Sequence, residues 1–150
     1  MNIRIVVADE RRVNFFDTAA LNSPLAPQGS MYNAAAGLKD QDLESDREGR
    51  RFGGTAGHHH GVDGERSTQQ HELTLFAKEV AQRIDTARVN HEFDKLILVA
   101  APKMLGLLRQ SLPEPSQTLV AAEVAKDVVH QGPDAIREVV PREAFGQLSG

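Results

Sequence analysis

Lys95-Leu96-Ile97-Leu98-Val99-Ala100 decides how the rest of the chain is read. The run is short and apolar without interruption, so it has no solvent face. That is the pattern of a strand buried on both sides of a parallel sheet. Upstream, Leu73, Phe76, Val80, Ile84 and Ala87 recur at helical spacing, with Lys78, Glu79, Gln82, Arg83 and Asp85 on the other faces. This predicts a helix from about His71 to Val89, and Ser67-Thr68-Gln69-Gln70 has capping-box spacing at its start. Downstream, Pro102 suits the first turn of a second helix carrying Met104, Leu105, Leu108 and Leu112, stopped by Pro113 and Pro115. Thr118 to Ala125 reads as a further strand, and Pro133 to Val140 as a short helix ended by Pro141.

At the other end, Ile3-Arg4-Ile5-Val6-Val7-Ala8 is rich in β-branched residues and reads as a strand. Asp9-Glu10-Arg11-Arg12 supplies a polar turn into Val13-Asn14-Phe15-Phe16-Asp17-Thr18, a second strand and thus a hairpin. The predicted order is β-β, long loop, α-β-α-β-α. Alternation in the second half predicts a three-layer α/β fold, and the hairpin makes the sheet mixed.

Between these parts, residues 19–66 show no sustained period. Pro24, Pro27, Gly29 and Gly37 punctuate the stretch, Lys39 to Arg51 mixes charges, and Gly53-Gly54-Thr55-Ala56-Gly57 leads into His58-His59-His60-Gly61. The 53 residues from Ala19 to His71 hold only 15 apolar residues, seven of them alanine, but eight of the 12 glycines. A long, glycine-rich, flexible insertion at about 19–66 is therefore expected within one domain spanning 1–150.

The totals remove whole classes. Zero cysteines exclude disulfides, thiolate zinc sites and thiol catalysis. A net charge of −4 gives no global basic footprint for nucleic acid. No run approaches the ~18 uncharged apolar residues of a membrane span. Met1-Asn2-Ile3-Arg4 passes straight into folded-looking sequence, so a cytoplasmic protein is expected. There is no Walker-type loop, no dinucleotide fingerprint and no Gly-x-Ser-x-Gly elbow, so no cofactor is expected.

An ordered set of stretches resembles a known family. Ile5-Val6-Val7-Ala8-Asp9, Asp42-Leu43-Glu44-Ser45-Asp46-Arg47-Glu48-Gly49-Arg50 and Phe76-Ala77-Lys78-Glu79-Val80-Ala81 come first. Phe93 to Pro102, Leu105-Gly106-Leu107-Leu108-Arg109 and Lys126-Asp127 complete it. Together they resemble the bacterial host attachment protein family, described as proteins required for attachment to host cells, from about Ile3 to Val140. That family is similar to the middle domain of archaeo-eukaryotic peptide-chain release factors and pelota, which implies a ribonuclease H-like fold. In release factors the loop before the long helix carries Gly-Gly-Gln, which places a glutamine beside the peptidyl-tRNA ester. Here the region holds Gly53-Gly54-Thr55, while Gln69 and Gln70 lack preceding glycines. The resemblance implies ribosome or tRNA binding without that hydrolytic chemistry.

Candidate sites follow, each with a plainer alternative. Arg47, Arg50, Arg51 and Arg66, with Gly53 and Gly54, are candidates for RNA or partner contact, or form a solvated linker of mixed charge. Lys126 beside Asp127 offers a phosphate or carboxylate contact, or a local charge pair. His58, His60 and His71 are candidate metal ligands, or adventitious ones in a solvated loop. In nucleases of the ribonuclease H-like fold, strand-end carboxylates hold divalent metals, which makes Asp9, Glu123 and Asp127 a candidate catalytic cluster. Asp9 is otherwise ordinary turn chemistry and Glu123 a solvent-facing edge residue. Gly106 inside a helix is expected to allow close approach to the sheet. Three functions remain: a non-enzymatic ribosome or tRNA binding module, an interaction protein acting on attachment through a protein partner, and a metal-dependent phosphodiesterase.

Overall fold

A computed structural model describes residues 1–36 and 68–146. Strands β1 (Ile3–Ala8), β2 (Arg12–Thr18) and β3 (Ala26–Tyr32) precede helix α1, which runs over residues 68–89. Then come β4 (Lys95–Ala100), α2 (Pro102–Ser111), α3 (Glu114–Gln117), β5 (Val120–Ala125), α4 (Pro133–Val139) and a 3-10 turn at Arg142–Phe145. The five strands form one mixed sheet in the order β3-β2-β1-β4-β5. β1, β4 and β5 are parallel neighbours, and β2 is antiparallel to both β1 and β3. This layering is of the ribonuclease H-like α/β class.

Burial on both sides explains the apolar runs. All six residues of β1 are buried, as are Leu96 to Ala100 of β4. Alternate side chains serve two cores, because successive residues of a strand face opposite ways. Val6, Ala8, Val13, Phe15, Leu96, Leu98 and Ala100 pack under α1 and α2. Ile3, Ile5, Val7, Ile97 and Val99 pack against Val128, Val129, Ile136, Val140 and Phe145 on the other face. The helical period read from Leu73 to Ala87 is the stripe that α1 buries. The helix ends in a left-handed turn at His91 (φ 58°), where the Glu92 amide reaches the Ala87 carbonyl and the His91 amide reaches Arg88.

Three features depart from the sequence reading. β3 lies inside the stretch expected to be loop from residue 19 to 66. Six of its seven residues are exposed, so it carries no apolar alternation, and an edge strand tolerates Pro27 and a bulge at Gln28. Pro113 and Pro115 do not simply end α2. They start the short helix α3, since proline fits a first helical turn. Gln117 of α3 then donates to the Leu112 and Arg109 carbonyls at the end of α2. Gly106 is no close approach either: a Cβ there would meet nothing within 4 Å. Residues 37–66 of the expected insertion, and Ser67 of the expected capping box, lie outside the described residues. Among the described residues no helix is long and apolar enough to cross a membrane.

Candidate functional site

In an open α/β sheet, side chains from several connections meet beyond the carboxyl ends of the parallel strands. Ala8, Ala100 and Ala125 are register partners, so Asp9, Ala101 and Lys126 leave the sheet side by side. Asp9 is nearly buried there, at 9% exposure. Its Oδ1 accepts the backbone N–H groups of Arg11 and Arg12, each at 2.8 Å, and its own N–H donates to the Arg12 carbonyl at 3.0 Å. A short carboxylate closing the turn on its own backbone is ordinary aspartate chemistry.

The second oxygen does something less local. Asp9 Oδ2 lies 3.4 Å from Nε2 of His130, which follows β5. His130 Nδ1 lies 2.8 Å from Nη2 of Arg12. A guanidinium only donates, so Nδ1 accepts and the neutral ring carries its hydrogen on Nε2, toward Asp9. Asp9, Arg12 and His130 thus form a closed polar triangle joining the end of β1, the start of β2 and the chain after β5. Asn14 adds a contact from its Nδ2 to the Val129 carbonyl at 3.3 Å. Both ring nitrogens of His130 are engaged, so the triangle ties these three connections together at the carboxyl end of the sheet. Arg12 Nε is buried without a partner.

The other carboxylates stand apart from this triangle. Glu123 Oε1 accepts from Arg109 of α2, at 2.7 Å from Nε and also from Nη2. Those hydrogen bonds, and then the carboxylate charge, hold the Arg109 guanidinium above its ordinary pKa. Asp127 and Lys126 are exposed after β5, and among the described residues no ion pair joins them. No group of three or more His, Asp or Glu able to hold a metal ion occurs among the described residues. His71 is exposed on α1. Arg47, Arg50, Arg51, Gly53, Gly54, His58, His60 and Arg66 lie outside the described residues. Among the described residues, the connections next to Asp9 at this end also carry Glu10, Arg11, Lys103 and Lys126, of mixed sign.

His130 and Arg12 are the site residues that sequence reasoning missed. Arg12 shares the turn with Asp9, but His130 lies 118 positions from Arg12, and nothing in its spacing links it to either residue. The only hint is that Val128-Val129-His130 places a polar residue after an apolar pair. A concavity of about 460 Å³ lies between α1 and α2 and is lined by Thr74, Lys78, Gln82, Gln110 and Ser111 among others.

The strand order and the helices on both faces define an α/β protein of the ribonuclease H-like class. Within it, residues 4–140 match the family model described as "Protein required for attachment to host cells". The chain belongs to that family, as the ordered motifs implied. It is also 37% identical over 59 residues to the uncharacterized protein RP470 of Rickettsia prowazekii (strain Madrid E). That similarity spans 39% of this chain and 39% of the relative, less than half of either.

Proposed function

We propose that this host attachment family protein is a non-enzymatic binding module acting on the ribosome or on tRNA. The observation that carries the reading is the position of residues 37–67, between β3 and α1 of a ribonuclease H-like sheet. In the release-factor middle domain that the family resembles, the segment before the long helix is the one that enters the ribosomal catalytic centre. The segment here contains Gly53-Gly54 and the cations Arg47, Arg50, Arg51 and Arg66, which suit close backbone approach and phosphate contact. It contains no Gly-Gly-Gln, so the proposed role is occupancy and not ester hydrolysis. The mixed-sign edge around Asp9, with Lys126 beside it, serves in this reading as the scaffold end of the module.

Sedimenting lysate through a sucrose gradient at low salt tests the proposal. Co-migration with ribosomal fractions, lost when Arg47, Arg50, Arg51 and Arg66 are all changed to Ala, is the expected result. Protein wholly absent from those fractions overturns it. A second reading rests on the family description itself: an interaction protein that influences attachment to host cells through a protein partner. Affinity capture that recovers an envelope-related protein and no ribosomal component favours that alternative.

A further inference from the structure

β3 ends the sheet, and among the described residues nothing pairs with its outer edge. Its sequence, Ala26-Pro27-Gln28-Gly29-Ser30-Met31-Tyr32, holds no charge, and it is exposed everywhere but Met31. An uncharged open edge is a template for another strand, and proteins normally blunt such edges with charge, proline or bulges. Pro27 and the bulge at Gln28 blunt the first half, which leaves Ser30 to Tyr32 open. The direction of the remaining groups follows from the register. The Asn33 amide donates to the Arg11 carbonyl, and Arg12 stands opposite Tyr32. Backbone groups alternate sides in an antiparallel pair, so those of Ser30 and Tyr32 point away from β2.

One side chain reaches these outward groups. Arg83 of α1 donates from Nη2 to the Gln28 carbonyl at 3.3 Å and from Nη1 to the Ser30 carbonyl at 3.5 Å. Its guanidinium lies 4.5 Å from the centroid of the buried Phe15 ring, a cation–π distance. Gly29, at φ 115°, makes room for it: a Cβ there would stand 2.7 Å from Nη2. The β3 bulge at Gln28, opposite the step from Phe15 to Phe16, falls beside it. We propose that Arg83, seated against Gly29, guards the β3 edge and prevents antiparallel pairing with β3 of a second copy of this chain. A second copy is the occupant because two neutral β3 strands repel nowhere, and pairing them about a two-fold axis gives a self-complementary contact.

The test uses the full chain carrying Arg83→Met, which keeps the stem over Phe15 and removes every donor. Analytical ultracentrifugation over a concentration series is the readout, with circular dichroism as a check on folding. Self-association at least ten-fold tighter than wild type is expected. It is expected to disappear when Tyr32→Pro is added, because that proline deletes an outward N–H and spares the β2 ladder. A folded Arg83→Met chain that associates no more than wild type overturns the proposal. So does an association that survives Tyr32→Pro, since it would use another face. Should Arg83→Met fail to fold, Arg83→Leu, which also carries no donor, takes its place with the same expectation, the same reversal and the same grounds for rejection.

Discussion

Arg4 of β1 and Asp17 of β2 stand directly opposite each other and join through two parallel hydrogen bonds, Nε to Oδ1 at 2.8 Å and Nη2 to Oδ2 at 2.9 Å. Arg4 is 7% exposed, and Glu92 Oε1 and the Phe93 ring complete its surroundings. The bonds to Asp17 raise the Arg4 pKa further, against the opposing effect of burial. Removing one partner of a buried pair strands the other charge, at a cost of about 3–5 kcal/mol. Arg4→Met is therefore expected to lower urea-measured stability by about 3 kcal/mol. Arg4→Met combined with Asp17→Leu is expected to recover most of that loss. A double variant as unstable as the single one would contradict the stranded-charge account.

Asp85 links α1 to α3. Its Oδ1 accepts from Arg88 Nε at 2.9 Å and from the Oγ of the fully buried Ser116 at 2.8 Å. The Arg88 bond first, and the Ser116 bond second, hold this carboxyl below the ordinary aspartate range. A carboxyl whose folded pKa is depressed contributes stability above its unfolded pKa of about 4. That contribution is lost as the pH falls through the folded value. Ser116→Ala is expected to move the Asp85 titration, followed by NMR, up toward the ordinary value. Asp85→Asn is expected to flatten the acid limb of stability against pH in the same window. An unchanged limb in Asp85→Asn would show that the pair is not linked to folding.

Gly106 sits inside α2 at an ordinary helical position, with open space where a Cβ would go. Alanine lowers the entropy of the unfolded chain and suits a helix interior better, by about 0.8–1 kcal/mol. Gly106→Ala is expected to stabilise the protein by about that amount, read from the urea midpoint at unchanged m-value. A destabilised Gly106→Ala chain would mean that a neighbour occupies this space in solution.

Asp9 is a turn brace on the geometry seen here, and its substitutions separate that role from the others. Asp9→Ala leaves the Arg11 and Arg12 amides without their acceptor, which is expected to cost about 1–3 kcal/mol. His130→Ala removes a side chain that is 65% exposed and is expected to change stability by about 0.5 kcal/mol or less. Thermal denaturation of the two variants side by side checks the order. A larger loss from His130→Ala than from Asp9→Ala would reverse the assignment of the brace.

Much of the architecture was legible along the chain because burial on both faces of a strand leaves a local trace. The runs Ile3 to Ala8 and Lys95 to Ala100, and the stripe from Leu73 to Ala87, are such traces, and each became an element in the expected place. β3 left none. Where nearly every residue of a strand is exposed, hydrophobic patterning has nothing to record, and Pro27 and Gly29 made the stretch read as a loop. The sites divide in the same way. Asp9 stands out because a carboxylate after a strand is a local pattern, and Arg12 shares its turn, whereas His130 meets both only through folding.

By itself, the sequence determined the α/β class, the order of most elements, the exclusion of thiol chemistry and the family. Each depends on neighbours in the chain or on composition. Only the tertiary structure decided which polar groups meet: Glu123 with Arg109, His130 with Asp9, and Arg83 with the β3 edge. Those contacts join strands and helices that the sheet order brings together from distant parts of the chain. A partner chosen by sheet topology has no fixed spacing in sequence, so no motif announces it.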